Sequence, residues 1–219
     1  MSVLLLHGFT GHPSNLEPLE EAFTKQGFSC LSPMLPGHDV LSGNLDRATM
    51  QDWLSSVENN QSDVVVGLSM GALLAILMAA ERPRKKLVLI SPAFVLRLLG
   101  RLSVFGAYLG LGSWVKSFPK IAGSDVEDPI GKARCQAYPE VPLKALKEFD
   151  LLRQKAIQVL PKLRCPIYSF FGAKDHTVDV QKSAVFVKNP VIFERSAHII
   201  PLDYDQKELI AQCLQILEK

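Results

Sequence analysis

Apolar residues fall along this chain in short unbroken runs, and most runs are followed by a stretch with helical spacing. Residues 3–6 form such a run, closed by His7 and Gly8, and they predict a buried strand. Residues 29–31 predict a second strand, ended by Pro33 and the Leu35-Pro36-Gly37-His38 loop. Residues 63–67 predict a β-branched third strand. Residues 87–90, 167–171 and 191–193 predict a fourth, fifth and sixth.

Helices fill the gaps. Ser14 followed three residues later by Glu17 predicts a capping box opening a helix over 15–26, with Gly27 as its stop. Thr49 with Asp52 opens another, which carries Trp53 and Val57 on one face. Residues 70–80 are rich in Ala, Leu and Met and predict a third. A last helix over 205–218 turns Leu209, Ile210, Cys213, Leu214 and Leu217 inward. Strands that are apolar throughout and alternate with helices predict an α/β fold, a mostly parallel sheet flanked by helices on both faces.

One segment breaks the alternation. Residues 92–163 are too long for a loop and carry no strand pattern, so they predict a helical cap or lid insertion over the C-terminal edge of the sheet. Residues 1–91 and 164–219 then make the core. Within the insertion Leu98, Leu102, Phe105 and Leu109 recur at helical spacing, with Arg97, Arg101 and Lys116 the few charges nearby. This stripe is expected to pack on the body of the protein. Its other reading is the lining of a substrate pocket.

Composition removes several function classes. With 47% hydrophobic and 21% charged residues the chain reads as an ordinary globular protein and not a disordered one. The net charge is +2, and the densest basic run, residues 82–86, is interrupted by Pro83. It reads as a solvated turn, and no nucleic-acid partner is expected. Cys30, Cys135, Cys165 and Cys213 are far apart with no C-x-x-C, which argues against a zinc ribbon or a dithiol site and fits reduced thiols in a cytoplasmic protein. The apolar run at the N-terminus is too short for a signal peptide, and no window has the ~20 apolar residues of a membrane span. His7, His12 and His38 have no H-E-x-x-H and no carboxylate or cysteine at ligand spacing, so no metal and no cofactor is expected.

Chemistry concentrates in Gly67-Leu68-Ser69-Met70-Gly71. This G-x-S-x-G follows a predicted buried strand and opens a predicted helix. A sharp turn there strains Ser69 and lifts its hydroxyl to the sheet edge as a nucleophile. Serine needs a base, and the base needs an orienting acid. His198 follows the sixth strand and is the candidate base. Asp175 follows the fifth strand and is the candidate acid, preferred to Asp179 because it lies nearer the strand end. His176, adjacent to that acid, reads as a loop histidine. Backbone N–H groups of Met70 and Phe9 are the candidate oxyanion donors, Phe9 from the His7–Gly11 loop after the first strand.

Several of these stretches together resemble a known family. LLLHGFTGHPSNL at the start, PMLPGHD around His38, VVVGLSMGALLA at Ser69, GAKDHTVD at Asp175, ERSAHIIPLDYD at His198 and VPLKALKEF at 141–149 are similar to the bacterial carboxylesterases and monoacylglycerol lipases of the α/β-hydrolase superfamily. The resemblance spans nearly the whole chain, with Ala197 standing where that family often has glycine. It implies a catalytic triad of Ser69, Asp175 and His198, oxyanion donors at Phe9 and Met70, and cofactor-free hydrolysis of short-to-medium acyl esters or monoacylglycerols. The implied partner is a small-molecule ester or lipid, with room for transient contact between the apolar cap and a lipid surface. A thioesterase or acyltransferase, a carbon–carbon hydrolase and a silent ligand-binding protein could all be built on the same residues.

Overall fold

Strand residues alternate between two helical layers, and this alternation organises the molecule. In the computed structural model, which describes residues 1–39, 44–120, 124–138 and 140–219, the central sheet is made of β1 (Ser2–Leu6), β2 (Ser29–Leu31), β3 (Val64–Leu68), β4 (Lys86–Ile90), β7 (Ile167–Gly172) and β8 (Val191–Phe193). Their spatial order is β2-β1-β3-β4-β7-β8, and every pairing is parallel. The chain steps outward from β1 to β2, then returns past β1 to β3. All six C-terminal strand ends therefore share one edge, and the crossover leaves a crevice there.

On β1 the side chains of Val3 and Leu5 face one layer while Leu4 and Leu6 face the other. The first layer is α1 (Glu17–Lys25) and α8 (Gln206–Glu218), which bury Leu19, Phe23, Leu209, Cys213 and Leu217. The second is α2 (Met50–Glu58), α3 (Met70–Glu81) and α6 (Leu143–Val159). Residues 70–79 of α3 are all buried, which explains a helix that is apolar all round. α2 opens at Thr49 as expected and does so with a capping box, Thr49 receiving the Asp52 N–H while Asp52 receives the Thr49 N–H. The box predicted at Ser14 and Glu17 is not formed. Pro13 starts a 3-10 turn ahead of α1, and the His12 imidazole accepts the Ser14 N–H instead.

Between β4 and β7 the chain builds α4 (Leu98–Tyr108), β5 (Ser117–Pro119), α5 (Pro129–Arg134), β6 (Glu140–Pro142) and α6. β5 and β6 pair as a short antiparallel ribbon. It was not foreseen, because strands of three residues carry too few positions for an alternating pattern. α6 packs on α3 and contributes Leu146, Phe149, Leu152 and Ala156 to the core. A helix of the expected insertion is thus also part of the layer that covers the sheet. The remaining helix, α7 (Val180–Ala184), follows β7. Among the described residues no helix is long and apolar enough to cross a membrane.

The basic run is not simply solvated. Arg84 is buried and donates to the carbonyls of Ser62 and Asn60, while Lys86 donates to the Ile216 carbonyl. A guanidinium can be buried this way because carbonyl acceptors replace its lost water.

Candidate active site

Ser69 sits at the turn between β3 and α3 with φ 55° and ψ −108°. A side chain pays about 1–3 kcal/mol to hold such a conformation, and it persists because the surroundings leave no alternative. The two glycines of the motif are required by close approach. A Cβ on Gly71 would run into the Leu6 carbonyl of β1, and a Cβ on Gly67 would run into the backbone of Gly71. The helix start is thereby pressed against the sheet, and Ser69 N–H is anchored on the Ile90 carbonyl at 2.9 Å.

The loop after β1 lies beside this turn, since a Cβ on Gly8 would be 3.2 Å from the Ser69 Cβ. Gly11 N–H closes a turn onto the Gly8 carbonyl at 3.0 Å, with Thr10 in the left-handed region at φ 57°. Phe9 N–H has no acceptor among the described residues. Met70 N–H is one of the donors that a helix start leaves without an intrahelical partner. His7 fixes the loop from below: Nδ1 bonds the Gly8 carbonyl at 3.0 Å and Nε2 accepts the Leu35 N–H at 3.1 Å. Burial holds His7 down to about 3 and His38 down to about 4, so both are neutral imidazoles at neutral pH. The rings of His7 and His38 meet edge-on at 4.8 Å, and the Phe9 ring stacks on Phe149 of α6 at 5.0 Å.

His198 and Asp175 converge from the loops after β8 and β7. His198 Nδ1 lies 2.7 Å from Asp175 Oδ2, and both residues are buried. Asp175 Oδ1 accepts the N–H groups of Thr177 at 2.8 Å and Val178 at 2.6 Å, which fixes the carboxylate plane. Burial works against the imidazolium of His198, but the charge and hydrogen bond of Asp175, aided by Asp125, outweigh it and raise the pKa above the ordinary value. Asp179, the other candidate acid, caps α7 and pairs with Lys182 at 2.7 Å. His176 Nδ1 faces Asp125 Oδ1 at 3.1 Å and not Asp175 or His198.

Sequence reasoning missed the residues that hold the base loop. The Ser91 hydroxyl, one residue past β4, donates to the His198 carbonyl at 2.8 Å. Asp203 accepts the Ala197 N–H, and Asp205 accepts the Arg195 N–H and the Ser196 hydroxyl. Tyr138 N–H holds the Thr10 carbonyl at 2.9 Å. Only the cluster of aspartates in LDYD next to His198 offered a sequence signal for any of these.

The apolar stripe departs from expectation. Leu98, Leu102, Phe105 and Leu109 are all more than half exposed, so they do not pack on the body. α4 instead turns Gly106 and Ala107 inward, because small residues let it approach α6 closely. Phe105 does border a cleft of about 260 Å³ with Val104, Tyr108 and Arg153.

The α/β hydrolase family model matches residues 3–212. The chain belongs to the α/β hydrolase family. Among curated relatives it is similar to the thermostable monoacylglycerol lipase of Bacillus sp. (strain H-257), at 29% identity over 234 residues that cover 100% of this chain and 91% of the relative. It is also similar to a carboxylesterase of Bacillus subtilis (strain 168), at 24% identity over 100% of this chain and 92% of the other. A solved structure from the work on the metagenome-derived lipolytic enzymes LipS and LipT matches with a TM-score of 0.86 and 24% identity, over 99% of this chain and 93% of the other, and so shares the fold.

Proposed function

We propose that this α/β hydrolase cleaves carboxylic esters through an acyl-enzyme on Ser69. The carrying observation is that Ser69, on its strained turn, follows a strand whose end shares one edge of the parallel sheet with the strands leading to the bonded His198–Asp175 pair. The lipase and carboxylesterase relatives support an ester or lipid as the substrate class.

In this reading His198 Nε2 takes the Ser69 proton as the hydroxyl attacks the ester carbonyl. Asp175 holds Nδ1–H at 2.7 Å, which leaves Nε2 as the acceptor and stabilises the imidazolium that forms. Phe9 and Met70 N–H groups receive the negative charge on the carbonyl oxygen, each donor contributing about 3–4 kcal/mol to the transition state. His198 then protonates the leaving alcohol, and water repeats the cycle on the acyl group. Short-to-medium acyl esters and monoacylglycerols are the proposed substrates, with residues 92–163 as the cap. The exposed face of α4 is proposed to meet the acyl chain or a lipid surface, since four large apolar side chains lie together in solvent there.

Hydrolysis of p-nitrophenyl esters from C2 to C16 tests the proposal beside Ser69→Ala. Turnover that drops by about 10⁶ in the variant is expected. Turnover that survives the substitution, or none on any chain length, would sink it.

A further inference from the structure

Asp125 belongs to neither of the strand-end loops that carry Asp175 and His198, yet it is bonded to both. It lies between β5 and α5. Its Oδ2 accepts the His176 N–H at 3.0 Å and the Thr177 hydroxyl at 2.7 Å, both on the Asp175 loop. Its Oδ1 faces His176 Nδ1 at 3.1 Å. Its backbone carbonyl accepts the Ile199 N–H at 3.1 Å, next to His198. A carboxylate oxygen of Asp125, one of Asp175 and a ring nitrogen of His198 all lie within 4.8 Å of one another.

The residues that follow extend the clasp. Asp203 accepts the N–H groups of Glu127 and Asp128, both at 2.9 Å, while the same carboxylate holds Ala197 N–H at 2.8 Å. Residues 125–128 thus hold the backbone after His198 directly, through Ile199, and the backbone before it by way of Asp203. The Asp125 side chain is 12% exposed, so its charge is poorly screened by water.

We propose that Asp125 is a second acidic positioning residue for His198, tying the acid loop to the base loop and favouring the imidazolium through its charge. This rests on the reading of His198 as the base. Asp175 makes the direct hydrogen bond, and Asp125 acts beside it through space. The groups facing His198 divide clearly. Asp175 and Asp125 favour the charged ring, while burial and Lys120, at the end of the β5 segment, oppose it. Asp125 itself faces His176. Of the charged groups alongside, Lys174 pairs with Glu127 at 3.3 Å and Asp205 with Arg195 at 2.9 Å, while Asp203 spends its oxygens on backbone N–H groups.

The test is an NMR titration of the His198 imidazole in the unmodified protein, in Asp125→Asn and in Asp125→Glu, assigned with His198→Gln. The expected result is a midpoint lowered by about half a pH unit or more in Asp125→Asn and restored in Asp125→Glu. The acid limb of kcat/KM on p-nitrophenyl butyrate should move with it. An unchanged midpoint in Asp125→Asn overturns the proposal even if turnover falls, because Asp125 would then be a clasp alone. Should the amide variant not fold, Asp125→Ser gives the same reading, since it removes the charge and keeps a hydroxyl acceptor. The titration needs no turnover, so a protein inactive on esters would sink the ester reading without deciding this one.

Discussion

The Ser91 hydroxyl donates to the carbonyl of His198 at 2.8 Å. It links the end of β4 to the base loop after β8, across the intervening β7. Ser91 is itself held by its N–H on the Phe170 carbonyl at 2.7 Å and has φ 43°. Two neighbouring residues of the site, Ser69 and Ser91, thus take left-handed backbone one residue past adjacent strand ends. Ser91→Ala is expected to lower kcat by about 3- to 30-fold with KM little changed, and to cost about 1 kcal/mol of stability for a lost buried hydrogen bond. Steady-state kinetics beside urea unfolding checks both. An unchanged kcat would show that the loop holds its place without this bond.

The pH dependence follows from His198. In the proposed mechanism His198 acts only as neutral imidazole, and its pKa in the folded protein is raised by Asp175 and Asp125 against the opposing effect of burial. Activity should therefore be lost as pH falls through a midpoint above the ordinary histidine value of about 6.5. A kcat/KM profile from pH 5 to 9 locates the limb. A limb well below 6.5 would contradict the raised value.

His7 and His38 make the opposite contribution, to stability. Their folded pKa values are depressed to about 3 and about 4, whereas the unfolded chain protonates near 6.5. Above that pH neither state binds the proton and there is no difference. Below it the unfolded state binds more protons, so stability falls as pH drops from about 6.5 towards the folded values. Each histidine contributes a slope of up to about 1.4 kcal/mol per pH unit. Urea midpoints at pH 7 and pH 5 should differ accordingly. His7→Asn and His38→Asn should each flatten the pH dependence whatever they cost in absolute stability.

The exposed face of α4 carries the substrate-length prediction. Phe105→Asp should lower turnover of C12–C16 esters about tenfold while leaving C2–C4 esters within about twofold, because a charge on the apolar surface penalises only a chain long enough to reach it. Equal losses at both lengths would place Phe105 in the scaffold.

Much of this was legible in the chain. The inner strands β1, β3 and β4 were readable because a parallel sheet buried on both faces leaves unbroken apolar runs, as in residues 64–66. That the loops bearing Ser69, Asp175 and His198 share one edge was readable because parallel strands deliver each following loop there; their roles are the proposal made above. Ser91, Asp125 and Tyr138 were not readable. Each acts through a contact far away in sequence, such as the 107 residues between Ser91 and His198, and periodicity holds no record of such pairs. The β5–β6 ribbon was hidden by its length. The stripe on α4 misled because helical spacing reports which residues share a face but not whether anything covers that face.

The helix behind Ser69 has one more consequence. Its first ten residues are buried, so solvent and mobile counter-ions are kept from most of its length. Aligned peptide dipoles place partial positive charge at its start, and ordinarily salt in solution would weaken that field within about 10 Å. Here the apolar sleeve of sheet and helices insulates it. The field at the head of α3 should therefore depend less on ionic strength than that of a surface helix, a built-in potential that the fold installs before any substrate arrives.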